Sequence, residues 1–333
     1  MLKKERKNIK PEYMGIEGVY KVTFPLPFDL DHVNCYLVKG DEGWSIIDAG
    51  MNIPPTHEGW TRSIEELGIK WEDIGSIYIT HYHPDHYGAA GWLQERSGAP
   101  VYMSARDLFD IQAIWQADFE TMSNMNDFYL VHGVPQKLLH QIADNLVKTS
   151  LDIFPVLPRI NTVKEGDTVM LGNLCVKVVH TPGHADGHIC FFCPDTNTLF
   201  SGDHLLPEIT SNVGLWPGGE PNPLKDFFSS LHKIGRYNID LVLPAHGEPF
   251  RGAGTRIEEL FQHHRERLDL MAQYAGKGQT AFAICRMIFG SDLSLHNFRF
   301  AIAETIAHMV FLESEGRIEV VENSDAITYR AVV

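Results

Sequence analysis

"THYHPDHYG", Thr80 to Gly88, places three histidines and an aspartate within six positions, directly after the strand-like run "GSIYIT". His81 and His83 alternate on an extended turn, so their side chains can share one side, while Asp85 and His86 open the helix-like "HYGAAGWLQERSG". Imidazole and carboxylate suit zinc, iron or manganese, and ligand-type residues packed this tightly do not suit a solvated loop. His81 and Asp85 lie on either side of a bend, so one tetrahedral site cannot easily use all four. Two neighbouring metals explain the excess, with further ligands delivered from other strand ends. Three stretches end strands in that way: "HTPGHADGH", "LFSGDH" and "LPAHGEP".

Around this turn the first half of the chain alternates β-rich runs ("GVYKVTFP", "VNCYLVKG", "GWSIIDAG") with the helix-like "HEGWTRSIEELG", which reads as sheet with covering helices. From Ala105 to about Ser150 the pattern turns helical, with Leu108, Ile111, Trp115, Met122, Met125, Phe128 and Tyr129 as its bulky residues: a helical insertion. Strand signals resume with "TVKEGDTVMLGN", "CVKVVHTPG", "ICFF", "NTLFSGD" and, after the helix-like "PLKDFFSSLHKIGR", "DLVLPAHG". Beyond "RGAGT" the text reads as three helices and a strand pair, a small winged-helix-like unit. The expected division is a catalytic domain over residues 1–254 and a C-terminal domain over 255–333.

Forty-three acidic against 28 basic residues give a formal charge of -15, which disfavours polyanionic partners. The basic N-terminus is not followed by an apolar stretch and no run spans a bilayer, so a cytoplasmic protein without membrane contact is expected. Five cysteines suit a reducing compartment. "CFFC", Cys190 to Cys193, lies in a strand-like run and reads as buried cysteines, since thiolate activation wants a helix N-terminus or nearby positive charge.

The four segments "HYHPDH", "HTPGH", "SGD" and "PAHG", in this order, resemble the metallo-β-lactamase superfamily of hydrolases over roughly Gly18 to Gly254. The resemblance implies an αββα sandwich with a dinuclear site between two sheets. Carried over position by position, it implies that His81, His83 and His184 hold a first metal, that Asp85, His86 and His246 hold a second, and that Asp203 bridges them. Asp48 of "IIDAG" matches an aspartate that orients a ligand histidine without binding metal. Histidine at position 83, where di-iron redox members carry glutamate, resembles the zinc hydrolases; two zinc ions are expected, with iron or manganese compatible with the same ligands. Asp85 is then placed to orient a hydroxide nucleophile and return its proton to the leaving group. His204, next to Asp203, is either a substrate-facing catalytic group or a buried, hydrogen-bonded one. His180 and His188 read as structural or as supports for the ligands, and His263 and His264 of "FQHHRER" as a polar helix face.

The superfamily's metal core cuts many bonds, so substrate choice must come from the walls. The insertion and the loop "HLLPEITSNVGLWPGGEPNP" offer Phe109, Trp115, Phe128, Tyr129, Leu206 and Trp216 with few cations, which favours an apolar pocket and a small acyl substrate: a thioester, ester or lactone. A phosphodiesterase or endoribonuclease is the alternative, because a winged-helix-like tail behind such a core resembles a group that includes endoribonucleases. Thr255 to Arg317 holds seven basic and eight acidic residues, without the positive stripe a nucleic-acid tail needs. The tail is therefore expected to pack or dimerise, and apolar insertion and tail together are compatible with a homodimer. A non-catalytic metal-binding module is the reading from outside enzymology.

Overall fold

The structure is a computed structural model that describes residues 9–115, 119–153, 157–322 and 326–332. Its first sheet contains, in spatial order, β1 (Glu12–Tyr13), β2 (Val19–Pro25), β3 (His32–Gly40), β4 (Gly43–Ile47), β5 (Ile74–Tyr78), β6 (Val101–Ser104) and β7 (Ile160–Val163), antiparallel up to β4 and parallel beyond. The second sheet contains β8 (Thr168–Leu171), β9 (Leu174–His180), β10 (Ile189–Cys193), β11 (Thr198–Gly202) and β12 (Leu241–Pro244), with only β11 and β12 parallel. A separate ribbon pairs β13 (Ile318–Glu322) with β14 (Ile327–Ala331).

Helices α1 (Pro54–Glu66), α2 (Pro84–Tyr87), α3 (Ala90–Ser97) and α4 (Ala105–Trp115) belong to the first half. The others are α5 (Phe119–Val131), α6 (Gln136–Ile153), α7 (Pro223–Ile234), α8 (Ala253–Ala275), α9 (Ala281–Phe289) and α10 (Leu295–Ser314). None of the described helices is long and apolar enough to cross a membrane.

Strand alternation sorts the apolar side chains into layers. Val19, Tyr36, Val38, Ile47 and Tyr78 of the first sheet meet Val176, Val178, Phe191, Phe200 and Leu243 of the second, forming the core between the sheets. On the opposite face of the first sheet, Val22, Phe24, Leu37 and Ile46 pack under Trp60 and Ile64 of α1 and Leu93 of α3. On the opposite face of the second, Val179, Cys190, Leu199 and Val242 pack under Leu224, Phe227 and Leu231 of α7 and under α8 and α10. The result is the expected αββα order of layers. Both cysteines of "CFFC" are buried on β10, as a strand assignment requires.

Three expectations change in detail. "TVKEGDTVMLGN" is two strands rather than one: Val163 ends β7 in the first sheet, and β8 starts the second after the turn at Gly166, φ +84°. Periodicity cannot report which sheet a short strand joins. The helix expected from His86 is interrupted after Tyr87, where Gly88 packs against the backbone of Pro84 and Asn52 before α3 begins. His264 is not on a polar face: it is buried, with Nδ1 3.1 Å from Nε2 of His308 on α10.

The insertion forms α4, α5 and α6, and its partner is the C-terminal unit. Tyr129, Val134, Leu139 and Ile142 share one core with Ile284, Phe298, Ile302 and Tyr329. The Tyr329 hydroxyl lies 3.0 Å from Nδ1 of His132, and the His132 carbonyl accepts from Phe282 N at 3.1 Å. The side chains of Trp115 and Met122 lie outside the described residues.

Candidate metal centre

The ligand-type residues gather where strands end. β4 delivers Asp48, β5 delivers Thr80 and His81, β9 is followed by His184, β11 by Asp203 and β12 by His246. Pro84 at the first helical position starts α2 immediately after His83, which turns Asp85 and His86 back toward the strand ends. The glycine of "SGD" has a geometric reason. Gly202 sits at φ +50°, and a Cβ there would lie 2.7 Å from Nε2 of His188 and 2.9 Å from Cβ of Thr80.

Two groups converge. His81 Nε2 lies 2.9 Å from His83 Nδ1 and 3.2 Å from His184 Nε2, and the last two atoms are 2.9 Å apart. Three nitrogens around one tetrahedral zinc sit about 3.3 Å apart, so small side-chain shifts would seat an ion. In the second group, Asp85 Oδ2 lies 3.7 Å from His86 Nε2 and 3.5 Å from His246 Nε2. Asp203 stands between them, with Oδ2 3.3 Å from His184 Nε2 and Oδ1 3.4 and 3.2 Å from Nε2 of His86 and His246.

The far nitrogens of these rings are held in place. His86 Nδ1 is 2.8 Å from Asp48 Oδ2, His184 Nδ1 2.8 Å from the Asn212 carbonyl and His246 Nδ1 2.6 Å from the His32 carbonyl. Such contacts fix the tautomer so that Nε2 faces inward. Asp48 has a left-handed backbone, φ +60°, which ordinarily costs about 1–3 kcal/mol for a non-glycine residue. Its carboxylate accepts from Thr80 N and Thr80 Oγ1 as well as facing His86, and those bonds hold it there. His188, expected to be structural or to support the ligands, lies with Nδ1 2.8 Å from Thr181 Oγ1, and its Nε2 accepts from Asp203 N at 3.1 Å.

The donor set fits divalent cations. Nε2 of His86, Nε2 of His246 and Oδ1 of Asp203 are buried without a hydrogen-bond partner, a condition that costs about 1–3 kcal/mol per group unless something fills it. Burial lowers the proton affinities of His81, His83 and His184, which keeps those imidazoles in the neutral form a metal needs. His86 and His246 differ: burial opposes their charging, yet the Asp203 carboxylate, aided by Asp85, outweighs it and raises both. Asp203 in turn is pushed up by burial but held well below the ordinary carboxylate range by His246 and His86.

A family model described as metallo-beta-lactamase superfamily matches residues 28–246, the stretch that carries this whole constellation. The chain belongs to the metallo-beta-lactamase superfamily. A second model, the metallo-beta-lactamase-like C-terminal domain, matches residues 268–331. The chain is similar to the Probable metallo-hydrolase YqjP of Bacillus subtilis (strain 168), 27% identical over 320 residues covering 92% of this chain and 95% of that one. Among solved structures, a beta-lactamase domain protein from Burkholderia ambifaria is 30% identical with a TM-score of 0.86, covering 96% of this chain and 94% of its own. A metallo-beta-lactamase family protein from Thermus thermophilus is 28% identical with a TM-score of 0.85, over 95% and 99% of the two chains. These likenesses run through the C-terminal unit as well as the superfamily domain.

His204 stands apart from both convergent groups. It is fully buried, its ring centroid 5.3 Å from that of Phe227, and burial takes its imidazole down to about 3. Of the expected wall residues, Phe109 is 59% exposed, Tyr129 and Leu206 are buried, and Phe128 packs against His132. Trp216 meets Phe300 at 5.8 Å.

The sequence reading expected the helix α10 in the tail but missed its place beside the candidate site. Its first half runs beside the metal centre: His296 stacks on Phe28 at 4.4 Å, and Asn297 Nδ2 donates to Asp29 Oδ2 at 2.8 Å. The Arg299 guanidinium lies 5.5 Å from the Trp216 ring. Asn212, whose carbonyl holds His184, donates through Nδ2 to Glu304 Oε2 at 3.1 Å. No spacing rule connects position 212 with position 304. The one available signal was the pairing of Arg299 and Glu304 with aromatics on a helix too apolar for a free surface.

Proposed function

We propose that this chain is a dinuclear metal-dependent hydrolase, with zinc as its metal, acting on a small acyl compound such as a thioester, ester or lactone. The observation that carries the reading is the Asp203 carboxylate, with one oxygen toward His184 and the other toward His86 and His246. In this proposal His81, His83 and His184 hold one ion, Asp85, His86 and His246 the other, and Asp203 both. Bound cations would supply a water acidic enough to be deprotonated near neutral pH, together with positive charge at the substrate oxygen. Asp48 holds His86 through Nδ1. Asp85 is the carboxylate of the set with most contact to solvent, 18% exposed, which suits it to take a proton from the attacking water and pass it to the leaving group. The buried, neutral ring of His204 supports a packing role beneath the site and not proton transfer to substrate.

The acyl reading is supported by the aromatic rings gathered near the ligand turn, Tyr82 against His83 at 4.7 Å and Trp216 against Phe300 at 5.8 Å, and by the balanced charge of the tail. α10 packs on α7, α8 and the insertion, which uses the tail for packing in this chain and leaves a phosphodiester or RNA substrate as the second reading. A cytoplasmic monomer or homodimer suits the composition. The test is a rate comparison of zinc-loaded protein on an activated thioester or lactone against bis(p-nitrophenyl) phosphate, with Asp85→Asn as blank. Two zinc ions per chain and an acyl preference are expected; a phosphodiester preference overturns the substrate class, and inertness toward both favours the binding module.

A further inference from the structure

Arg299 is placed where a cation is costly. It projects from α10 into a setting made by Trp216 at 5.5 Å, Phe300 at 5.3 Å, and the largely buried rings of Tyr82 and Tyr129. Its Nε is shut off from solvent and has no hydrogen-bond partner, and among the described residues Arg299 has no ion pair. Other arginines of the chain are paired: Arg106 with Asp186 at 2.6 Å, Arg256 with Glu259 at 2.8 Å and Arg317 with Asp269 at 2.6 Å. Removing an arginine from water without a carboxylate opposite it is expensive. Burial accordingly pulls its proton affinity below the ordinary value, with the Tyr129 and Tyr82 hydroxyls opposing. The Tyr129 hydroxyl has no partner of its own.

The position of this unpaired cation matters as much as its isolation. Its charge bears on His83 and on Tyr82, both in the ligand turn, and on His296, which also feels Asp85. Trp216 follows in the same loop as Asn212, the residue holding His184. The Tyr82 ring, on which this charge acts, lies 4.7 Å from that of His83, so the guanidinium sits on the side of the ligand turn without a carboxylate of the described chain to neutralise it. We propose that Arg299 is a specificity-determining residue that receives a carboxylate carried by the acyl substrate. A single planar fork among aromatic rings matches one planar monoanion, which it can hold through two parallel bonds. The substrate class becomes an acyl compound with a free carboxylate near the scissile carbonyl; this rests on the acyl-hydrolase reading above.

The experiment uses zinc-loaded full chain and compares acetyl and succinyl thioesters of one thiol, with succinate binding measured by calorimetry and neutral succinamide as control. Wild type should prefer the succinyl thioester. Arg299→Met should lower kcat/KM for it about 10- to 100-fold, as for a lost hydrogen bond to a charged group, and leave the acetyl thioester within about twofold. The same variant should melt at or above the wild-type temperature, because an unpaired charge has been replaced by an apolar chain of similar length. Arg299→Lys, which keeps the charge and loses the fork, should fall between the two and serves if the methionine variant does not fold.

Equal loss on both thioesters, or a wild type without preference, overturns the proposal. So does succinate binding that is unchanged in both variants. If inorganic phosphate binds more tightly than succinate and in an Arg299-dependent way, the carboxylate is overturned in favour of a phosphoryl group. The hydrolase reading fails separately: if neither thioester is turned over while succinate binding still requires Arg299, the anion subsite stands without acyl hydrolysis.

Discussion

Residues 80–88 and the first half of α10 border the same candidate metal centre, but they reach it by opposite routes. In the turn, His81, His83, Asp85 and His86 are set by local geometry: an extended pair, a proline at the first helical position and one helical turn. In α10, His296, Arg299 and Glu304 arrive because a helix is pressed onto α7, α8 and the insertion by apolar packing of Phe298, Ile302 and Ile306. The difference suggests a division of labour, in which the local turn supplies chemistry that tolerates little error and the distant helix supplies selectivity that can vary.

The sharpest way to break this comparison is through the floor. Asp203→Ala should lose metal at one or both positions, read as metal content per chain, with activity falling further than in any substitution of α10. A full metal complement with wild-type turnover would show that Asp203 does not join the two groups. Asp85→Asn should cost on the order of 100- to 10,000-fold in kcat while the melting temperature stays close to wild type, which steady-state kinetics and calorimetry check together. Asp48→Ala should be milder, about 10- to 100-fold in metal affinity or activity, because Asp48 holds His86 Nδ1 and Thr80 without belonging to either convergent group. A competition assay with a chelator would measure it.

The smallest effect sharpens the roof. Burial raises the Glu304 carboxyl to about 7, against the Asn212 hydrogen bond and Arg267, which lower it. The native state therefore holds this proton where the unfolded chain has released it, and the contribution of Glu304 to stability is full below about pH 4 and declines as pH rises toward 7. Over that window the loss should be on the order of 1–3 kcal/mol. Glu304→Gln, which can still accept from Asn212, should flatten the slope in denaturant unfolding measured across pH; an unchanged slope would place its source elsewhere.

How much of this was legible follows from the distances in sequence over which each feature is decided. The four motifs carry their own strand-end settings, so the convergence of His184, Asp203 and His246 on the turn could be anticipated, as could Asp48 beneath His86. Phe109 and Tyr129 show the limit: both read as candidate pocket walls, yet one is 59% exposed and the other buried against the C-terminal unit. The apolar-pocket expectation omitted Arg299, since a cation's address depends on where its helix docks. His264 was misplaced for the same reason, its partner His308 lying on another helix.

The sequence by itself determined which histidines and aspartates gather at the strand ends, the order of layers and the existence of a helical insertion and tail, because residue spacing and the periods of strand and helix are local properties of the chain. Only the tertiary structure decided which sheet β7 and β8 join, that insertion and tail share one core, and that Asn212 links Glu304 to His184. Those outcomes depend on burying particular apolar faces against one another, and the free energy of that burial belongs to the packed molecule and to no stretch of it.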